Sequence, residues 1–384
     1  MGYLFKATSI NVARAIYAIN WFDIAPGLTY ISKDLGLKLI QLGIATSFFY
    51  VGLAAFQMIG GALASRMGAK KVAFIGLLLL GLGGIFSGLS LSLPDLVAAR
   101  FIAGSGSALF FSPGLSILRD ISPPESYGLQ VGIYNGAFSL GGGIGAFGWV
   151  FLDKAVGWQM GLIIGGLLVI AISIENFIVL RGSREEKVER SGFGRKMLSI
   201  VRNKFLWILS IATIISTFAE TIGGQFLVYY GENFLGMTAS QSGFVDGVFL
   251  TIGFAGGLLG GHFLSNVRRR RRFSYIVLIV IGISFMLIPL GRNFVALTVL
   301  AGVAGFSVVS GFSILYVLAV PYVKDKGMVP FALSFVNFIG IAIGSVSPIA
   351  FTLFTDRIGY AYGWVILGAV GMALIPLLFF VKET

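Results

Sequence analysis

Apolar runs separated by short polar breaks fill this chain, at 9–31, 40–63, 72–92, 96–118, 128–151, 157–180, 205–230, 241–264, 274–290, 293–318, 329–354 and 361–381. A helix needs about 20 apolar residues to cross a bilayer's hydrocarbon core, so each run is a candidate span. Backbone polar groups in lipid must satisfy one another, which leaves helices or closed barrels. The alternating polar and apolar pattern of barrel strands is absent. The chain is therefore predicted to be an all-α membrane protein with twelve transmembrane helices. With 57% hydrophobic and 11% charged residues, it could not solvate a soluble domain. The first run does not read as a signal peptide: it is long, carries Asn20 and Asp23, and no small-x-small cleavage site precedes the next run.

The sequence also repeats itself. Gly60-Gly61-Ala62-Leu63-Ala64-Ser65-Arg66 lies 200 positions before Gly260-Gly261-His262-Phe263-Leu264-Ser265-Asn266, and a basic cluster follows each. Asp95-Leu-Val-Ala and Asn293-Phe-Val-Ala open the fourth and tenth runs, and Asn135 and Asn337 fall at equivalent places in the fifth and eleventh. An internal repeat of half the chain predicts two pseudo-symmetric six-helix bundles. The expected division is an N-terminal bundle over 1–180, a cytoplasmic linker loop over 181–204 and a C-terminal bundle over 205–384.

The net charge of +12 could suggest a polyanionic partner, but its distribution points elsewhere. With the N-terminus inside, 21 of the 28 Lys and Arg residues fall on cytoplasmic segments and five on external ones. That bias orients the chain with both termini cytoplasmic, in the cell (plasma) membrane. The Arg268–Arg272 run and the basic linker are then expected to face anionic lipids of the cytoplasmic leaflet, not nucleic acid. Cys is absent and His262 is the sole histidine, which excludes disulfides and Cys/His metal centres. No cofactor is expected.

On these residues the chain resembles the major facilitator superfamily of secondary transporters. Gly61, Ser65, Arg66, Gly68, Lys70 and Lys71 are similar to the family's gating signature between helices two and three, G-x-L-a-D-R-x-G-R/K-R/K. Arg100-Phe-Ile-Ala-Gly104-Ser-Gly106 is similar to its fourth-helix motif, R-x-x-x-G-x-G. Two departures stand out: Ser65 occupies the signature's Asp position, and the Gly-rich fifth helix lacks the Gly-Pro pair of the antiporter motif. The resemblance implies alternating access between two bundles around a central site.

Charges inside a span cost roughly 2.5–3.5 kcal/mol each, and Arg14, Asp23, Arg100, Glu175, Glu220 and Asp246 need reasons. Asp23 and Arg100 are expected to pair and, with Glu220, to couple protons. Arg14, near the cytoplasmic end of the first apolar run, is expected to snorkel to the interface. Glu175 is read as an interfacial anion, and Asp246, among small residues, as structural or interfacial. Asn20, Ser107, Asn135, Thr217, Gln225 and Asn337 are candidate substrate contacts, chosen by helical phase and pseudo-symmetry.

The function expected is secondary active transport of a small organic solute, coupled to protons. A proton-coupled multidrug exporter is the alternative, and a membrane sensor or enzyme the alternative of another class. The chain is not expected to be an enzyme: no nucleophile–base pair, Walker lysine or nucleotide-binding strand–turn–helix is present.

Overall fold

The computed structural model describes residues 2–182, 193–266, 270–325 and 328–381. The side chains of Ser65, of residues 124, 125, 128 and 330, and of 260–271 lie outside the description, as do Lys326 and Lys382.

The first half comprises α1 (Tyr3–Ile19), α2 (Leu28–Asp34), α3 (Leu39–Met67), α4 (Ala69–Gly88), α5 (Leu93–Ile121), α6 (Pro124–Val156) and α7 (Trp158–Val179). After the connection come α8 (Phe193–Val201), α9 (Lys204–Ala212), α10 (Ile214–Phe234), α11 (Ala239–Asn266), α12 (Arg270–Leu287), α13 (Phe294–Ala319), α14 (Val329–Gly344), α15 (Ser347–Ile358) and α16 (Tyr360–Leu374). Among the described residues nine helices are long and apolar enough to cross a membrane, and α9–α10, bent by 42°, form a tenth span. The α1–α2 pair and the glycine-rich α6 complete twelve.

Three predicted helices are broken, the eleventh at Ser345–Val346 between α14 and α15. The first span stops at Ile19, and Asn20–Gly27 form turns through Pro26 before α2 begins. The freed backbone is satisfied locally: Trp149 Nε1 donates to the Ile19 carbonyl at 2.8 Å and Asn20 Nδ2 to that of Ile16 at 2.9 Å. The seventh span bends at Thr213, whose hydroxyl donates back to the Leu209 carbonyl at 2.9 Å. The predicted linker loop is partly helical, since α8 lies in it. Lys196 of α8 pairs with Asp325 at 2.8 Å, and Asn203 donates to the Tyr322 carbonyl at 3.0 Å, tying the connection to the second bundle.

Pseudo-symmetry is written into the helix crossings. Gly104 of α5 lies against the Phe49 carbonyl of α3, and Gly305 of α13 lies against the Phe249 carbonyl of α11. At both places a Cβ would collide with backbone, so only glycine permits the approach. The tight turn before α7 uses Gly157 at φ +83°, and the turn before α16 uses Gly359 at φ +94°. These are the same two devices repeated half a chain apart.

An even number of spans places both termini and the 181–204 connection on one face, here the linker face; the other is the distal face. Cross-bundle contacts gather toward the distal face. Asn233 Nδ2 donates to Thr29 Oγ1 at 2.9 Å, Thr29 bonds Glu232, and the Ile349 amide donates to Ser47 Oγ at 3.3 Å. Nearer the linker face the bundles touch at Ser112–Ser334, 3.3 Å apart, and where Gly136 meets Phe254.

Candidate functional site

The break in the first span sets the site. Because α1 begins at Tyr3, Arg14 lies eleven residues into the helix, or about 17 Å at 1.5 Å per residue. That is close to midplane, not the interfacial depth expected from the apolar run, which starts six residues later. Arg14 is buried, with 5% of its surface exposed. The Tyr17, Phe111, Tyr134 and Phe138 rings surround its guanidinium at 4.5–5.0 Å. Its Nε and Nη1 have no hydrogen-bond partner. The rings offset part of the cost of burying the charge and leave two donors unused.

Glu220 of α10 approaches from the other bundle. It lines a narrow gap of about 10 Å³, room for about one water, with Phe22, Phe138, Ser139, Phe249 and Leu250, and it lies within electrostatic reach of Arg14. Phe138 both borders the cavity and covers Arg14. Tyr316 of α13 is within electrostatic reach of both charges, and its hydroxyl donates to Asn337 Oδ1 at 3.3 Å. Glu220 thus lines one small, mostly apolar chamber, with Arg14 behind Phe138 and Tyr316 both within its electrostatic reach.

Asp23 and Arg100 come together but elsewhere. Arg100 Nη1 donates to Asp23 Oδ1 at 2.8 Å, and both side chains are 1% exposed. The guanidinium also lies 4.8 Å from the Phe49 ring centroid. Asp23 sits in the α1–α2 turn, not on a helix, so helical phase misjudged its neighbours. The pair is enclosed within the first bundle.

The other candidates divide. Asn337 accepts from Tyr316, which lies within electrostatic reach of Glu220. Asn135 is exposed although it lies about 200° round α6 from the outward row containing Ile133, Leu140 and Ile144, so it faces away from that row. Ser107 is buried behind Tyr17, its carbonyl accepting from the Tyr17 hydroxyl at 3.4 Å. Gln225 donates to Tyr50 at 3.4 Å, and Tyr50 accepts from Trp21 at 3.3 Å, forming a cross-bundle junction. Asn20 and Thr217 turn away from the chamber. Asn20 packs at Gly165 of α7, and Thr217 at Gly340 and Gly344 of α14. The close helix approach at those glycines draws both side chains into the bundle interiors.

Glu175 accepts from Ser9 at 2.8 Å and from Asn176 at 3.1 Å, joining α7 to α1. Asp246 departs from its expected structural role: it is fully buried and neither carboxyl oxygen has a hydrogen-bond partner. In the gating motif, Gly68 makes the α3–α4 turn at φ +94°, which requires glycine. Gly61, Arg66 and Lys71 are exposed there and Lys70 is half-buried. Sequence reasoning missed Arg14 and its aromatic collar. The spacing Arg14-x-x-Tyr17, which sets both on one helical face, was the available signal.

Two six-helix bundles closing over a chamber lined from both sides define a membrane transporter rather than an enzyme. The chain belongs to the Major Facilitator Superfamily, whose family model matches residues 10–345. It is 25% identical over 375 residues to the probable nitrate transporter NarT of Staphylococcus haemolyticus, covering 95% of this chain and 93% of that protein. It is 27% identical to the nitrite extrusion protein of Bacillus subtilis over 60% of this chain, a match spanning 58% of that relative's length. With the quinolone resistance protein NorA of Staphylococcus aureus it shares 27% identity over 52% of this chain and 50% of that protein. Among solved structures, a bacterial homolog of the human lysosomal transporter Spinster, inward-facing and unoccupied, superposes with a TM-score of 0.80. At 15% identity over 99% of this chain and 95% of that one, it supports the fold alone.

Proposed function

We propose that this protein is a proton-coupled secondary transporter of a small organic solute, working by alternating access. The observation that carries the reading is a charge pair split between the bundles near the midplane: Glu220 of one lines the chamber, and Arg14 of the other lies behind Phe138 within its electrostatic reach. Rocking of the bundles would change the distance between these charges, and with it the ease of protonating Glu220. Asp23 and Arg100 already pair at 2.8 Å within one bundle, where rocking of the bundles would not part them, so the coupling role is assigned to Glu220. Arg14 is the counter-charge for the solute. An anionic group on the solute would meet its free donors, in keeping with the similarity to a probable nitrate transporter and a nitrite extrusion protein.

The orientation proposed follows the basic residues: linker face cytoplasmic, in the plasma membrane. Ser107, Asn135, Gln225 and Asn337 are retained as groups that bound or support the solute path. The motif residues Gly61, Ser65, Arg66, Gly68, Lys70 and Lys71 are retained as the cytoplasmic gate.

A second reading, an exporter of amphipathic drugs, is favoured by the three phenylalanines beside one carboxylate and by the similarity to NorA. Proteoliposome flux separates the two. With an imposed proton gradient, benzoate or nitrate movement lost in Arg14→Gln supports the first. Ethidium movement that survives Arg14→Gln and is lost in Glu220→Gln supports the second. Fluxes of all three probes that ignore the gradient would overturn both.

A further inference from the structure

The chamber is not the only place where an ionisable group lies on the central axis. Asp246 sits seven residues into α11, about 11 Å from that helix's distal end, whereas Glu220 is fourteen residues, about 21 Å, from the distal end of α10. Asp246 is therefore about 10 Å nearer the distal face. At 100° per residue it lies about 200° from the exposed Phe244, so it points inward. Leu250, one turn along on the same side, lines the chamber. Its neighbours Gly243 and Gly247 lie against Val150 and Gly143 of α6, and Ser242 and Phe249 lie against Gly231 and Gly223 of α10. Asp246 thus occupies the wedge where the two bundles close on the distal side, one turn beyond the chamber roof.

The carboxyl is 0% exposed and neither oxygen has a hydrogen-bond partner; Ser242 Oγ, one turn away on the same face, is also buried and unpartnered. An ionised carboxylate so placed would cost several kcal/mol without a counter-charge. The surrounding elements carry Asp23 in the α1–α2 turn, Asp153 and Lys154 on α6, Glu220, Tyr230 and Glu232 on α10, Tyr316 on α13, and Arg292 before it. None of them hydrogen-bonds to Asp246. A structural carboxyl would be expected to hold a hydrogen bond in the state it stabilises. This one holds none while the distal side is closed. Its polar demand must be met in another conformation, and opening the wedge is what would bring water to it.

We propose that Asp246 is a second proton-binding site of this carrier. It is neutral and dry with the distal side closed, and it releases its proton to water when that side opens. The inference rests on the alternating-access reading and adds to it a site for exchange with the distal compartment, separate from Glu220.

Infrared titration of the purified full-length protein in detergent tests it without any transported solute. The expected result is a carbonyl stretch of a protonated carboxyl in apolar surroundings that is deuterium-exchangeable and fades as pH rises. The band should be absent from Asp246→Asn, retained in Glu220→Gln and displaced in Asp246→Glu; the last variant keeps the test usable if the asparagine protein does not fold. A band unchanged in both Asp246 variants, or one that neither exchanges nor titrates, would overturn the proposal. Because no solute is involved, such a failure falls on Asp246 alone. Failure of the transport reading would instead appear as wild-type flux indifferent to a proton gradient.

Discussion

Two pairs of opposite charge lie in this membrane interior, and they are built for different ends. Asp23 and Arg100 meet at 2.8 Å inside one bundle, each 1% exposed, with the guanidinium also held over Phe49. Arg14 and Glu220 lie in different bundles within electrostatic reach of each other, with a narrow gap of about 10 Å³ beside Glu220, and two Arg14 nitrogens are unused. The first pair is closed: its charges meet directly inside a single bundle, although two Arg100 nitrogens are also without a hydrogen-bond partner. The second is open, and its energy depends on how far apart the bundles stand. In a low-dielectric interior, that separation decides whether a pair stabilises one conformation or responds to a change between two.

This contrast can be broken most sharply at the open pair. Glu220→Gln should reduce proton-driven accumulation in proteoliposomes to the level of protein-free vesicles while leaving thermal stability close to wild type. A large loss of stability instead would make Glu220 a structural group. Removing one member of the closed pair should do the reverse. Arg100→Ala should destabilise by about 3–5 kcal/mol, because it strands a buried carboxylate. Replacing both partners, as Asp23→Leu with Arg100→Met, should restore most of that loss in the same thermal or denaturant unfolding measurement.

At the aromatic collar, Arg14→Gln should weaken binding of an anionic probe such as benzoate about tenfold, roughly 1.4 kcal/mol, measured by calorimetry. Gly104→Ala and Gly305→Ala should each cost about 1–3 kcal/mol of stability, and by similar amounts, since both force apart the same crossing in opposite bundles. Unequal costs would show that the two crossings are alike in shape but not in load. The smallest effect is expected at the Tyr50 junction, where Tyr50→Phe removes the acceptor shared by Trp21 and Gln225. About 0.5–1.5 kcal/mol would be lost from the distal closure, read as faster labelling of a cysteine placed at Thr29.

Much of the scaffold was legible before any coordinates. The span count, the two bundles and the repeat followed from hydropathy and from the spacing of Gly60 and Gly260, because lipid permits few alternatives for an apolar backbone. The candidate site was less legible, for a reason visible at three residues. Arg14 was placed by distance from the start of an apolar run, yet α1 begins at Tyr3 on polar and apolar residues alike. Asn20 was placed by helical phase, yet the helix ends at Ile19. Thr217 shares a stripe with Glu220 on the same unbroken helix, but it meets Gly340 and Gly344 of α14 while Glu220 meets the chamber. Phase holds only while the helix is unbroken, and even then it does not say which neighbour each residue of a face will meet.

The amino-acid order alone determined that this chain spans a membrane as helices, that its halves are copies, and that its basic residues crowd one face. Each of these is a local or additive property, set by the transfer free energy of side chains and by charge counts along short segments. Which buried charges pair and which stay open was decided only by the tertiary structure. Pairing depends on helix breaks and glycine crossings that bring side chains from distant segments within a few ångströms, and over that range the Coulomb energy changes faster than any pattern along the chain can record.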